Sequence, residues 1–476
     1  MYKQKIIIFF FLVLLFKFSA FGQDKLWTLE ECINHALENN LQICQQQLNS
    51  ELSRVNVLSS KGLLLPNISG NATHVYNYGR TIDRYTNQFA FDMVQSNNFY
   101  ASASITVFNG FQLLNSVCQR EFELSASKYD LETIKNDISL TIATAFLQIL
   151  YNREMVSNAE KQLEITFSQV ERTQKLVDAG ATAKSVLLNL EAQAATEEYQ
   201  LVKLKNQLDL SYLSLAHILY LRDHKNFKIA IPEIDIAKES VPVDAGYIYE
   251  YALKNQPEIK SFEMRLESAK KGLSVSKGAL SPSLTIGASI GTGYSGASNK
   301  IDDIQYTGYD TIGITTGIPP EYVLAQTFNY IYNPIPFNDQ INDNFNSSVG
   351  FYLTIPIFNQ LQTRTNISRS KINILIAETN LEQIKLTLYQ TITQAHADAD
   401  AALIRHQAAQ KQLISAETAY KFAEERFEVG DITQVEYQDA KNRLIIAESE
   451  LLQGKYEYVF KMKVLDFYLG KPIKLN

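Results

Sequence analysis

Cysteine is scarce: Cys32, Cys44 and Cys118 are the only three in 476 residues. Three cannot staple a disulfide scaffold, and none of the spacings is that of a zinc module. Cys32 and Cys44 lie in one stretch of helical periodicity, about 18 Å apart at 1.5 Å rise per residue, too far for a bridge. Positive charge is not in excess either. With 44 Lys and Arg against 51 Asp and Glu, the formal net charge is −7, which argues against nucleic acid as a partner. Past the N-terminus, no apolar run reaches the roughly 20 residues of a membrane-spanning helix. Histidine is sparse and scattered, at positions 35, 74, 217, 224, 396 and 406. No nucleophile stands beside a base, so the chain does not read as an enzyme and calls for no cofactor. Apolar residues at 46% still supply a sizeable core and exclude wholesale disorder.

Residues 1–22 read as an export signal. Lys3 and Lys5 precede an apolar run from Ile6 to Phe16, and Ala20-Phe21-Gly22 places small residues before a cleavage point. Eleven apolar residues are too few to span a bilayer. The residue after the cut is Gln23 and not Cys, which argues against a lipoprotein anchor there. Removal of Lys3, Lys5 and Lys17 leaves 41 cations against 51 acids, a mature charge of −10. An exported chain without a spanning helix crosses a membrane only as strands.

The rest is written twice. Ala36-Leu37, Asn39 and Ile43 match Ala252-Leu253, Asn255 and Ile259 at an offset of 216, as do Gly62 with Gly278 and Pro66 with Pro282. Further on, Phe108-Asn109, Gly180 and Leu219 match Phe358-Asn359, Gly430 and Leu469 at an offset of 250. The second copy therefore carries 34 extra residues between Pro282 and Phe358. The organisation expected is a first repeat over 23–222, a linker over 223–245, a second repeat over 246–470 and a tail over 471–476.

Each repeat changes period along its length. Leu131, Ile134, Ile138, Ile142, Ala145 and Ile149 step by three and four, one face of a helix; Leu381 to Ala399 repeat the pattern 250 residues on. Phe99, Ala101, Ala103, Ile105 and Val107 instead alternate with small or polar residues, the period of a strand. The order in each copy is helix, strand, strand, long helix, turn, helix. The strands fall at about 67–79 and 99–108, then about 283–294 and 347–358. The helix over 111–177 would be about 100 Å long. Helices over 28–62 and 182–220 have a summed length that lets them stack beside it. The fold class is mainly α with a β portion, a helical rod with a hairpin at one end and a tight turn at the other.

Strands of about ten residues with one apolar face suit a tilted membrane crossing. Four of them cannot close, because known bacterial barrels begin at eight, and an open edge in lipid leaves backbone groups unsatisfied. Three chains would supply 12. The rival is a periplasmic coiled-coil structural or adaptor protein without a pore.

These features together resemble the TolC-like outer membrane factors, the outer membrane efflux proteins. The resemblance rests on the double repeat, on Leu65-Pro66 and Ser281-Pro282 leading into strands, and on Val107-Phe108-Asn109-Gly110 and Pro356-Ile357-Phe358-Asn359 leading out. It rests also on the turns at Val177-Asp178-Ala179-Gly180 and Glu428-Val429-Gly430-Asp431. Two motifs depart from the family: the first tip reads Ala-Gly-Ala where many members have Val-Gly-Leu, and Asn359-Gln360 replaces an acid-glycine pair.

The resemblance implies a homotrimer with a 12-stranded barrel in outer-membrane lipid and a helical periplasmic tunnel. It implies a periplasmic adaptor docked at the tips around Gly180, Val429 and Gly430, with an inner-membrane pump behind it. Glu436 and Asp439 match the family's aperture acids. They stand three apart on one helix face, where clustered carboxylates would raise some pKa values and attract cations. Two acids at a helix start are also what the helix dipole alone favours. In the first copy the matching positions are Val186 and Asn189.

Two other motifs carry less. Gly291-Thr292-Gly293-Tyr294-Ser295-Gly296 spells G-x-G-x-x-G but precedes a Gly/Asn/Asp-rich loop where a dinucleotide site needs a helix. His396 and Asp400 share a helix face that could hold a metal, but no third ligand accompanies them. The loop over 295–346 carries the insertion; its Tyr, Phe, Asn and Pro content suits an ordered cap and a loose loop equally.

Overall fold

The structure, a computed structural model, describes residues 26–90, 93–221, 227–232 and 244–474. The signal segment 1–22 lies outside the described residues, as do most of the 223–245 linker and the last two residues of the tail.

The described chain is mostly helical. The first copy holds α1 (Leu29–Asn39), α2 (Leu41–Gly62), α3 (Gln112–Asp178) and α4 (Lys184–Ile218). The second holds α5 (Ala245–Asn255), α6 (Pro257–Gly278), α8 (Gln362–Glu428) and α9 (Gln434–Tyr468); the short α7 (Phe337–Asp343) belongs to the insertion. Matching helices have equal lengths of 11, 22, 67 and 35 residues. Positive φ values recur 250 residues apart at Gly110 and Gln360, Phe111 and Leu361, Gly180 and Gly430, and Tyr220 and Gly470. Gln360 thus adopts, at φ 53°, the backbone that a glycine usually supplies.

The expected single helix over 28–62 is two helices. Asn40 is extended (φ −73°, ψ 127°) and ends α1. Its side-chain oxygen accepts from the Gln42 and Ile43 amides at 2.8 and 3.4 Å, which caps α2. In the second copy Gln256 is extended in the same way, as a residue before proline must be. Cys32 is buried and Cys44 exposed, on opposite sides of this break, and neither is in a disulfide.

Two compact units divide the chain. One comprises the described residues up to Arg54, Phe122–Glu267 and Leu375 onward. Within it Ile138, Ile142 and Ile149 pack with Cys32, Ala36 and Leu215 in one core cluster. Leu388, Ile392 and Ala399 pack with Ile248, Ala252 and Leu465 in another. These are the helical faces marked by the three-four periodicity, buried because their apolar stripes face neighbouring helices. A short parallel pair, β1 (Leu26–Trp27) with β6 (Lys228–Ile229), joins residues near the N-terminus to the described part of the linker.

The other unit, Val55–Glu121 with Ser268–Ile374, holds the remaining sheets. β2 (Asn67–Asn77), β5 (Val94–Phe108), β7 (Ser283–Ser295) and β10 (Asn346–Thr354) form an antiparallel sheet in the order β10-β7-β5-β2. Between β2 and β5 lies a small ladder of β3 (Thr81–Ile82) and β4 (Phe89–Ala90).

The insertion is a long antiparallel hairpin of β8 (Asn299–Ile314) and β9 (Tyr322–Pro334). Three register shifts interrupt β8, at Ile301/Asp303, Tyr306/Gly308 and Thr311/Gly313. Each bulge inserts one residue and resets the alternation. One hairpin face accordingly gathers Ile301, Ile304, Tyr306, Tyr309, Thr311 and Ile314 from β8. Opposite them stand Tyr332, Tyr330, Phe328, Gln326, Leu324 and Tyr322 of β9. Residues 299–314 and 322–334 of the insertion are thus a regular paired hairpin.

Candidate functional site

The four-stranded sheet has two chemically distinct faces. Pairing aligns Ser69, Ser102, Ser289 and Ser348 in one row straight across it. Ser69 and Ser102 hydroxyls lie 3.0 Å apart, those of Ser289 and Ser348 2.8 Å. The adjacent row on this face is Asn67, Ser104, Gly287 and Gly350. Both rows are small and uncharged. The other face carries Ile68, Ala103, Ala288 and Val349 in one row and Ile105, Ile286 and Phe351 in the next. Val349 and Phe351 are 71% and 72% exposed, so on the β10 edge this apolar face is uncovered within one chain. β2 and β10 are the edges, each with one unpaired side among the described strands. The alternation in β5 showed that two faces exist, whereas the serine row depends on register, which no single strand displays.

Two turns close the long helical hairpins. At the first, the Gly180 amide donates to Val177 O at 2.9 Å and the Ala181 amide to Leu176 O at 2.8 Å. At the second, the Gly430 amide donates to Phe427 O at 3.1 Å and the Asp431 amide to Arg426 O at 2.9 Å. Both are Schellman closures, which need a left-handed residue; Gly180 has φ +74° and Gly430 φ +80°. A Cβ at either would meet nothing within 4 Å, so only the backbone demands glycine. Val429 is 81% exposed beside its glycine.

The two turns differ in their caps. Ala183 starts α4 with no side-chain cap, whereas Thr433 starts α9 with a complete capping box. The Thr433 amide donates to Glu436 Oε2 at 2.8 Å, and the Glu436 amide donates to Thr433 Oγ1 at 3.3 Å. The Thr433 backbone amide, then its hydroxyl, holds the Glu436 carboxyl below its usual range. Asp439 Oδ2 accepts from Arg443 Nε at 2.9 Å. Within one chain, then, both acids are exposed, one committed to a cap and the other to a contact with Arg443. Arg426 closes on Asp431 at 2.6 Å, and Arg172 reaches from α3 to Glu428 of α8 at 2.9 Å.

The opposite side of α9 is locked. Tyr437 is buried, stacks on Phe427 with centroids 4.8 Å apart, and bonds through its hydroxyl to Tyr420 at 2.8 Å and to Gln169. One turn on, buried Lys441 pairs with Glu197 at 3.2 Å and donates to Thr166. Burial pushes the Lys441 ammonium below its ordinary pKa, and Glu197 opposes that fall. Charge buried in this way is costly to break, so the contacts fix the orientation of α9 and with it Glu436 and Asp439. The one sequence cue was a lysine four positions after Tyr437, on what helical spacing makes the same face.

The remaining motifs are structural. Gly291 and Gly293 lie within β7, so the G-x-G-x-x-G run opens no helix. His396 Nδ1 and Asp400 Oδ2 lie 3.2 Å apart on α8. Among the described residues no cluster of three or more His, Cys, Asp or Glu side chains is placed to hold a metal ion. No described helix is long and apolar enough to cross a membrane.

A family model described as outer membrane efflux protein matches residues 32–219 and 335–471. Outer membrane protein TolC of Escherichia coli is 21% identical over 341 residues, covering 71% of this chain and 62% of that protein. Outer membrane protein TolC of Vibrio cholerae is 21% identical over 464 residues, covering 96% and 94%. The solved outer membrane protein VceC of Vibrio cholerae superposes with a TM-score of 0.74 over 94% of this chain and 96% of that one, at 15% identity. At that identity the superposition shows a shared fold.

Proposed function

The chain belongs to the outer membrane efflux protein family, and on that footing we propose that three copies form one passive exit duct. The observation that carries the reading is the two-faced sheet with both edges unpaired. Four strands are half the smallest barrel, and lipid tolerates no open edge. Three sheets joined β2 to β10 give 12 strands. Their apolar faces meet outer-membrane lipid, and each serine row becomes a third of a hydroxyl ring around the lumen.

The long helices form the periplasmic tunnel. Their turns at Gly180 and at Val429-Gly430 dock a periplasmic adaptor, which couples the duct to an inner-membrane pump. The pump supplies the energy, so the duct needs neither cofactor nor catalytic group. Glu436 and Asp439 line the entrance. The capping box keeps Glu436 charged against the repulsion of its two symmetry mates, and Lys441 and Tyr437 hold the helix that presents it.

The test is assembly and conductance. Heat-resistant trimers in the outer-membrane fraction that conduct ions across a planar bilayer are expected. Soluble periplasmic monomers without conductance would refute the duct and return the pore-free adaptor.

A further inference from the structure

The β8–β9 hairpin presents an apolar face that one chain leaves uncovered. Ten of its twelve face residues are large and apolar or aromatic, between 41% and 71% exposed. With aromatic side chains at about 150–250 Å² each, the open patch comes to roughly 1,000 Å². Free monomers rarely show more than about 300–600 Å² in one patch, whereas a stable interface takes about 800 Å² from each partner. A lone two-stranded hairpin is also only marginally stable in water. Something therefore covers this face.

We infer that the occupant is the same face of the neighbouring copies, so that three hairpins pack into a collar over the duct's outer mouth. This rests on the trimeric duct proposed above. Charge supports a like partner over a lipid surface. The hairpin's charged residues are Lys300, Asp302, Asp303, Asp310 and Glu321, a net of −3. None falls on the apolar face, and an anionic lipid surface would repel them. A second copy buries apolar surface against apolar surface while these acids stay in water.

The mounting of the hairpin supports it too. The Ser295 amide donates to Gln340 Oε1 at 2.9 Å, and Gln340 Nε2 donates back to Ser295 O at 3.0 Å and to Ile335 O at 2.8 Å. Asn344 Nδ2 donates to Gly293 O at 2.8 Å, and the Ile335 amide donates to Ser298 O at 3.0 Å. These bonds fasten the hairpin base to β7, a strand of the sheet that the neighbouring copies complete. Three hairpins so mounted meet at an effective concentration in about the millimolar range.

Gln326 and Thr311 lie on the apolar face, and Asn329 lies on the other. The full chain carries Gln326→Cys, Thr311→Cys or Asn329→Cys, each with Cys44→Ser and Cys118→Ser. It is treated on intact cells with a membrane-impermeant maleimide or with a thiol oxidant. The collar gives loss of labelling and oxidative dimers for Gln326→Cys or Thr311→Cys, with free labelling and no dimers for Asn329→Cys. Native mass of the purified protein reads the trimer separately. Intact trimers whose apolar-face thiols label as fast as Asn329→Cys would overturn the collar and leave the duct standing. Intact trimers protected but never cross-linked would mean a foreign occupant and also overturn it. Monomers would sink both.

Discussion

Replacing Gly430 by valine separates the shape of the second turn from its surface. The new side chain would touch nothing, since no heavy atom lies within 4 Å of a Cβ there. The entire cost is then backbone: φ is +80°, a region that costs an L-residue roughly 1–2 kcal/mol, with a β-branched side chain at the upper end. The closure being strained consists of the Gly430 and Asp431 amide bonds at 3.1 and 2.9 Å, each worth about 0.5–1.5 kcal/mol net. The strain matches what holds the turn, so the turn should open. It is small beside the roughly 5–15 kcal/mol that keeps a domain folded, so abundance and trimer assembly should not change. The assay is export of a reporter compound by cells that depend on this chain, scored against the amount of heat-resistant trimer. Gly430→Val should lose export at normal abundance, whereas Gly430→Asn should keep most of it, because asparagine tolerates the left-handed region. Full export by the valine variant would refute a role for turn geometry. Equal loss in both variants would show that surface and not φ is what the adaptor reads.

Lys441→Met should destabilise the purified protein by about 3–5 kcal/mol in thermal unfolding, because it strands Glu197 beside a buried apolar group; adding Glu197→Gln should restore most of it. Glu436 has a lowered folded pKa, so its capping contribution is complete above the unfolded carboxylate value and is lost as pH falls through the folded one. The protection factor of the Thr433 amide, read by hydrogen exchange against the intrinsic rate at each pH, should therefore fall in acid for the native chain and stay nearly flat for Glu436→Ala. In a planar bilayer, divalent cations on the periplasmic side should block residual current, and Glu436→Ala with Asp439→Ala should weaken that block while trimers persist.

What the sequence made legible were the features with a clean period. The long helices and their repetition followed from apolar residues stepping by three and four, and the sheet strands from steps of two. The break at Asn40 left no mark on the hydrophobic pattern of the first copy. Its cue lay in the second, where Pro257 occupies the place of Leu41 and forces Gln256 out of helical geometry. The insertion was opaque for a physical reason. Its three bulges make the face residues of β8 step by three and two in turn, from Ile301 through Ile304, Tyr306, Tyr309 and Thr311 to Ile314. That rhythm is neither a strand's nor a helix's, and only the partner strand reveals that one face results. Lys441 hid its role for another reason: its partners Thr166 and Glu197 lie 275 and 244 residues away.

In the proposed duct these features distribute selectivity unevenly along the path. The sheet's polar face carries serine, threonine, asparagine and glycine together with Tyr100 and Tyr352, which offer a passing molecule hydroxyls and amides but no fixed charge to prefer one cargo over another. Charge concentrates instead around the second turn, where Arg426, Asp431, Glu436, Asp439 and Arg443 stand within eighteen positions of one another. The first turn has no such set: Ala183 replaces the capping Thr433, and Val186 and Asn189 replace the two acids. Threefold assembly would therefore alternate turns that carry the capping acid pair with turns that lack it around the entrance, giving an adaptor two kinds of seat. A partner whose hairpins recognise the uncapped turn would engage three sites without disturbing the ring of acids. One that competes for Arg426 or Arg172 would release Asp431 or Glu428 and so act on the entrance itself. Arg172→Ala distinguishes the two, since it cuts the 2.9 Å bond to Glu428 but leaves the capping box at Thr433 in place. If docking at the second turn opens the duct through this contact, the variant should raise conductance in the absence of any partner. Unchanged conductance would place the opening step elsewhere.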